Sequence, residues 1–471
     1  MAILEKQYLE KIQVANYDLD SKIINDLIRD SGPERARLQG LWNRYRGETP
    51  IKDRVLPDPY KTNSKLAHDF RGQIVSQICG YLWGNPIVYG IDDTKYNEKQ
   101  GTEIKDAISR LNNANNVADL DMITGEYASV CGAAYRLLYI DKKGQIRLMN
   151  VVPWECLVFT DSTLDEVQLA IILYQTDYFS QITNKTEKRW KIELLTKTDV
   201  YTYYEYEKGI FQLDPLEKIN PMPHMFNGVP VIKFDNNNLV KGDFENVEDL
   251  IDGYDVLVSD AQNELIDFRL AYLGIVGAQM DEKDVVRARQ TGVFTLPEGI
   301  DIKWIVKDLP TAFFADQAKR LRDNIYTLSS TIDFNDQAWS GNSESGLARR
   351  LRMQSLESKA IKKERKFQKA LEEEYELIAY VWSKKNLKLD PYDMVFVFVR
   401  DLPIDYSYYF AMAQMAQGTI SEETILSLMP FIPDPSEEIR RKEKERVDRG
   451  KLIDLSLLDE NMNDSGSEDV S

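Results

Sequence analysis

Thr331–Met353 reads TIDFNDQAWSGNSESGLARRLRM, a polar break between two long helical patterns. Before it, Ala318, Leu321, Ile325 and Leu328 recur at spacings of three and four, one face of a helix. After it, Leu356, Ala360, Phe367, Leu371, Tyr375, Ile378 and Trp382 continue a similar stripe. The break itself carries Asp333, Asn335, Asp336, Ser340, Gly341, Asn342, Ser343, Ser345 and Gly346. These residue types favour turns, and Ser345 is suited to cap the helix that follows. A connection this long inside a compact domain is more often functional or mobile than not. An exposed linker is the plain alternative.

Outward from this break, the predicted helices bracket a small insert. Asp249–Tyr272 has a continuous stripe of Leu250, Tyr254, Leu257, Ala261, Leu265, Phe268 and Tyr272, with Asp249, Asp252, Asp260 and Asp267 off it. At 1.5 Å per residue this rod is about 33–36 Å long. Its single narrow stripe suits packing on one side. Gly274 and Gly277 close it. A short helix over Asp281–Gln290 and a hairpin of Gly292–Leu296 with Ile300–Val306 are expected, and Ala315–Ser330 returns as helix. The pattern is a stalk of two antiparallel helices with an αβ tip. Downstream, the helix from about Gly346 to Lys385 begins basic, with Arg349, Arg350, Arg352, Lys359, Lys362 and Lys363, and turns acidic at Glu372–Glu374. That order opposes the helix dipole, at about 1 kcal/mol or less per group. Something outside the helix must favour it, such as an acidic neighbouring surface or passing phosphates, unless this is simply a solvated face.

The N-terminal half reads as helices followed by strands. Asp20–Asp30 is a predicted helix that Ser31-Gly32-Pro33 ends, with Glu34–Gly47 as the next. Ser64–Trp83 is a third, placing His68 on an apolar helix, and Glu103–Asn112 and Ala118–Val130 follow. Ile87–Ile91 reads as a strand, and Ala134–Ile140 with Ile146–Val152 as a hairpin. Leu157–Thr160, Val167–Tyr174, Trp190–Leu195, Val200–Tyr206 and Val231–Phe234 add strands. Met394–Val399 is a late strand placed to rejoin that sheet, and Tyr406–Gln417, Ser421–Leu428 and Ser436–Arg449 form a helical terminal subdomain. Asp459–Ser471 is acidic, polar and of disordered composition.

Composition bounds the function. The 471 residues, 43% hydrophobic and 29% charged, are ordinary globular material. A net charge of −18 argues against a protein that grips nucleic acid over its whole surface. Cys79, Cys131 and Cys156 sit in apolar segments without metal-ligand spacing, which fits reduced, buried thiols. No apolar run nears the ~20 residues needed to span a bilayer, and MAILEKQYLEKIQ is not a signal peptide. A soluble protein made in a cytoplasm is expected. His68 and His224 are far apart, and no phosphate-binding loop, nucleophile elbow or zinc signature occurs. No catalytic residue, metal or cofactor is therefore assigned.

Several stretches together resemble one family. They are Leu41–Gly47 (LWNRYRG), Gly80–Ile87 (GYLWGNPI), Cys131–Tyr135 (CGAAY) with Asp141–Gly144 and Val152-Pro153, Gly228–Ile232 (GVPVI) with Asn236–Asn238 and Asp243-Phe244-Glu245, and Ser340–Leu347. In this order they resemble the portal proteins of tailed double-stranded-DNA bacteriophages, of the long-tailed type found with Gram-positive hosts. The resemblance implies an α+β portal fold and a ring, usually of twelve, around a DNA channel at one capsid vertex of the virion, assembled in the host cytoplasm. It implies a mixed helical and antiparallel-β wing over 1–245 and stem helices over 246–272 and 312–332. A clip spans 273–311, a tunnel loop 333–345, the long helix and returning strand of the wing 346–405, and a helical crown 406–450, before an acidic tail over 451–471.

The loop residues Asp333, Asn335, Asp336, Ser340, Asn342, Ser343, Glu344 and Ser345 would then face DNA. Arg349, Arg350 and Arg352 would touch phosphates in passing, and Asp252, Asp260, Asp267, Lys319 and Arg320 would line the stem. Asp281, Glu282, Lys283, Arg287, Arg289 and Glu298 would meet the large terminase subunit and the head-completion adaptor, while the major capsid protein and scaffold would contact the outside of the ring. Another oligomeric head connector or scaffold-binding protein, and a carboxylate-dependent nuclease, are the competing readings. The tip between two stalk helices separates them, because a simple scaffold has no need of one.

Overall fold

The structure is a computed structural model that describes residues 2–58, 61–161, 166–180, 185–268, 272–276, 301–305, 311–333, 353–400, 406–429, 432 and 434–447. Helix α1 (Ala2–Val14) and α2 (Ser21–Tyr45) lead into α3 (Phe70–Trp83), β1 (Val88–Ile91), α4 (Glu98–Asn115) and α5 (Val117–Cys131). The strands β2 (Ala133–Ile140), β3 (Ile146–Val151), β4 (Cys156–Thr160), β5 (Val167–Ser180), β6 (Lys185–Leu195), β7 (Asp199–Glu207), β8 (Ile210–Leu213), β9 (Met222–Pro223) and β10 (Val231–Asp235) follow. Then come α6 (Glu248–Phe268), β11 (Tyr272–Val276), β12 (Asp301–Ile305), α7 (Thr311–Ser329), α8 (Gln354–Ser383) and β13 (Met394–Val397). The last helices are α9 (Tyr406–Ala416), α10 (Glu422–Ser427) and a helix over 435–447. The fold is mixed helix and antiparallel sheet, as the α+β expectation required.

Strand alternation builds the layers. In the sheet ordered β4-β5-β6-β7-β8, with β9 beside β7, successive residues feed opposite cores. Leu157, Phe159, Leu169, Ile171, Leu173, Ile192 and Leu194 pack against Tyr8 and Ile12 of α1 and Ile24 and Leu27 of α2. Cys156, Val158, Ala170 and Ile172 face Ala133, Tyr135, Val151 and Val231 of the β10-β2-β3 sheet. Beyond that sheet lies the largest core, where α3, α5 and α8 meet β2 and β10 through Ile74, Ile78, Leu82, Ala134, Phe234, Phe367, Leu371 and Ile378. All three cysteines are free and buried, and burial pushes the Cys79 thiol up to about 11.

Four sequence expectations are corrected, each by packing or pairing with segments distant in sequence. First, α2 runs unbroken through Ser31-Gly32-Pro33. Ile24, Leu27, Leu38 and Leu41 are buried on both sides of the proline, and this packing outweighs the ~3 kcal/mol a mid-helix proline costs. Second, α3 begins at Phe70, capped by Asp69, whose side chain accepts the Gly72 N–H at 2.9 Å. His68 thus precedes the helix. Third, α6 ends at Phe268, and Tyr272 belongs to a strand. That strand, Tyr272–Val276, pairs antiparallel with Asp301–Ile305, which falls within the strand expected at Ile300–Val306. The hairpin arm expected at Gly292–Leu296 lies outside the described residues. Fourth, Met394–Val397 pairs with Val88–Ile91 in a separate two-stranded ladder rather than with the earlier sheet.

Candidate functional site

The stalk is α6 packed along α7. The two run antiparallel: Asn246 Nδ2 just before α6 donates to the Leu328 carbonyl near the end of α7 at 2.8 Å. Phe70 bridges them higher up, with ring centroids 5.0 Å from Tyr254 and 5.9 Å from Tyr326.

One face of α6 is built for a strap. Asp255, Ser259 and Asn263 recur every four residues, so they stack on one line along the helix, and all three are buried. Their side chains accept the N–H groups of His68 (3.0 Å), Leu66 (3.0 Å) and Ser64 (2.8 Å). Alternate N–H groups of the segment before α3 therefore dock on successive turns of α6. The His68 Nδ1 also lies 2.8 Å from Asp255 Oδ1. Burial raises the Asp255 carboxyl above its ordinary value, against the opposing bonds from His68.

Beside the strap runs an ionic seam. Arg71, only 1% exposed, sends Nε to Glu248 Oε1 (3.0 Å) and Nη2 to Glu248 Oε2 (2.8 Å) and Asp252 Oδ1 (2.7 Å). Arg44 joins the same two carboxylates, reaching Asp252 Oδ2 at 2.8 Å. Arg54 Nη2 meets Asp260 Oδ1 at 2.5 Å. Burial works against the Arg71 charge, but hydrogen bonds and proximity to Glu248 and Asp252 hold it above its usual value. Charge-assisted pairs of this kind fix geometry as well as supply energy.

The foot of the stalk is held by a buried hub. Asp243, on the approach to α6, accepts from Lys363 Nζ of α8 at 2.5 Å, and Lys359 Nζ lies 3.2 Å from its other oxygen. Lys363 also donates to Ser129 Oγ (2.7 Å), and Lys359 to the Ser329 carbonyl at the end of α7 (2.8 Å). One carboxylate thus joins α5, α8 and both stalk helices. Burial pushes Asp243 up, yet the two ammonium groups outweigh it and hold the carboxyl down at about 2. The backbones cross closely here, with Asp243 N donating to Ser129 O at 2.7 Å. Gly132 makes that crossing possible: its φ is +88°, and a Cβ there would lie 2.3 Å from the Val240 carbonyl oxygen. Farther along α8, Glu374 receives Arg136 Nη1 (3.0 Å), whose Nη2 reaches Asp121 (2.8 Å). The acidic surface that the basic start of the long helix called for is, at Lys359 and Lys363, a buried aspartate of the same chain.

The sequence-expected site residues divide into three groups. Asp252 and Asp260 are engaged by arginines of the N-terminal region, while Lys319 and Arg320 are exposed on α7. Asp333 makes an ion pair with Arg322 at 3.1 Å whose angle falls short of a hydrogen bond. The side chain of Asp267 is outside the described residues. So are Asn335, Asp336, Ser340, Asn342, Ser343, Glu344, Ser345, Arg349, Arg350 and Arg352 of the loop, Asp281, Glu282, Lys283, Arg287, Arg289 and Glu298 of the tip, and the tail over 451–471. The strap and hub were not anticipated. The usable signals were the helix charge order that opposed the dipole and the arginines of LWNRYRG. Among the described residues no helix is long and apolar enough to cross a membrane, and no cluster of His, Cys, Asp and Glu is suited to a metal.

A family model for phage portal proteins, SPP1 Gp6-like, matches residues 24–451. The chain belongs to that family. It is similar to the portal protein of Bacillus phage SPP1, at 26% identity over 96% of this chain and 91% of the relative. It is also similar to the portal protein of Clostridium phage phiCD119, at 22% identity over 88% of this chain and 91% of the relative. The resemblance read from the sequence is borne out. This portal protein is a structural component and not an enzyme, and the family implies an oligomer at a capsid vertex of the virion.

Proposed function

We propose that the chain forms a ring of twelve around a channel through which double-stranded DNA enters and leaves the capsid. The observation that carries this reading is the anchored two-helix stalk within a chain that matches the portal family over residues 24–451. A conduit must guide a polyanion without holding it. Tight binders neutralise many phosphates with Lys and Arg, whereas the exposed face of α7 offers Asp316, Lys319, Arg320 and Asp323, two charges of each sign. Such a face has no net pull on phosphates beyond a Debye length of about 8–10 Å. Asp252 and Asp260 are neutralised by arginines, so the stem contribution to the channel is assigned to Lys319 and Arg320.

The tunnel loop over 333–345 projects toward DNA in this reading, with Arg349, Arg350 and Arg352 making brief phosphate contacts behind it. The insert over 273–311 docks the large terminase subunit during packaging and the head-completion adaptor afterwards. The wing meets the major capsid protein and scaffold, the helices over 406–450 form the crown, and assembly takes place in the host cytoplasm. Native mass measurement with electron microscopy tests the ring: a twelve-fold assembly with a central hole is expected, and a monomer refutes it. Asp336→Lys tests the loop. It should increase DNA retention and slow packaging, and an unchanged packaging velocity counts against the assignment.

A further inference from the structure

A cleft of about 200 Å³ opens beside the ionic seam, lined by Arg44, Arg46, Thr49, Lys52, His68 and Arg71 among others. Several of its donors have no partner among the described residues. Arg71 and Thr49 are 1% and 4% exposed, and Arg71 Nη1 and Thr49 Oγ1 are buried without a hydrogen-bond partner. Neither Arg46 nor Lys52 makes an ion pair among the described residues; Lys52 Nζ rests on the Gly47 carbonyl. Three of the acids nearby have partners within the chain. Glu248 and Asp252 hold Arg44 and Arg71, and Asp69 on the wall caps Gly72. The result is a cavity with surplus donors and two cations, Arg46 and Lys52, that have no carboxylate partner among the described residues, in a chain of net charge −18.

The level of the cleft along the stalk suggests its occupant. Arg44 and Arg71 fix it to the first two turns of α6 through Glu248 and Asp252. A closed ring is generated by rotation about one axis, so each neighbour presents the same residues at the same level. Asp249 lies at that level, about 100° around the helix from Glu248. It is exposed and makes no ion pair among the described residues. Each subunit thus offers unpaired cations on one flank and an unpaired carboxylate on another, the complementarity that a head-to-tail ring contact requires.

We propose that the cleft is a socket for the Asp249 carboxylate of the adjacent copy of this chain. The proposal rests on the ring reading given above. Rings assembled from a mixture of isotopically light and heavy full-length chains are coupled with a zero-length carbodiimide and digested. The expected result is a Lys52–Asp249 bond joining light to heavy peptides. Lys52→Arg keeps the charge and the ring but abolishes the bond. Lys52→Glu and Asp249→Lys should each weaken the ring about tenfold, and combining them should restore it. An intact ring in which Lys52 couples only within its own copy, or not at all, overturns the socket. So does a density map of the ring with phosphate or another solute in the cleft. A chain that stays monomeric by native mass refutes instead the ring reading beneath it.

Discussion

Asp243→Asn is the most demanding test of the hub, because it removes one charge and leaves two others behind. Lys363 is 4% exposed, and its ammonium lies 2.5 Å from the carboxylate; Lys359 shares the same anion. Stranding one partner of a buried pair costs about 3–5 kcal/mol. The carboxyl itself points the same way. Its displacement from 3.8 to about 2 corresponds to roughly 2 kcal/mol of stability at neutral pH. A loss of about 3 kcal/mol is a change of more than a hundredfold in local opening. Amide hydrogen exchange followed by mass spectrometry reads it directly, in peptides spanning 127–132, 240–247, 325–332 and 355–365. Protection in all four should fall together by about a hundredfold, because one carboxylate joins them. Trp83 gives a second signal, since its ring is 5.7 Å from the Lys363 ammonium. Replacing Asp243 and both lysines together by apolar residues of similar volume should cost far less than Asp243→Asn alone. A decrease of less than about fivefold in Asp243→Asn, roughly 1 kcal/mol, would refute the claim that this carboxylate holds the foot of the stalk.

The same hub sets a pH response. The Asp243 carboxyl is depressed in the folded chain, so its contribution is complete above about pH 4 and is lost as the pH falls toward 2; protection of the same peptides, relative to the intrinsic exchange rate at each pH, should fall only across that window. Ser259→Ala leaves the Leu66 N–H without its acceptor and should cost about 1 kcal/mol, measured as faster exchange at 64–68 with no change at the hub. Gly132→Ala places a Cβ against the Val240 carbonyl at a positive φ and should destabilise the chain by about 3 kcal/mol, lowering its soluble yield. Tyr89→Phe removes a 2.6 Å bond to Asp121 beside the buried Arg136 and should lower the thermal midpoint by the equivalent of about 1–2 kcal/mol.

Amphipathic stripes made most of the helices legible. The spacing of Leu356, Phe367, Leu371, Tyr375 and Ile378 reads as one helix, and these residues do bury one face of α8. The hairpin around Asp141–Gly144 was readable for a similar local reason, since Gly144 sits at φ +72° in the turn. Element ends were not. Ser64–Asp69 has helical spacing but stays out of the helix, because Ser259 and Asn263, 193 and 199 residues later in the chain, take its N–H groups. Pro33 reads as a stop until the buried residues on either side are known. The charge logic of the stem was half legible. Its acids were visible at once, but a one-dimensional pattern does not say that Arg44, Arg54 and Arg71 neutralise Glu248, Asp252 and Asp260.

The docking of Ser64, Leu66 and His68 on α6 has a consequence in angle. Four residues of helix rise about 6.0 Å, and two residues of extended chain span about 6.6 Å. The two scales drift by about 0.6 Å per rung, so three rungs fit within side-chain reach and a much longer ladder would not. Sliding the strap by one helical residue would turn α6 by about 100° about its own axis. Which azimuth of that helix looks outward is therefore indexed by the count of residues between Ser64 and His68. An insertion or deletion there would re-aim a helix to which those residues do not belong.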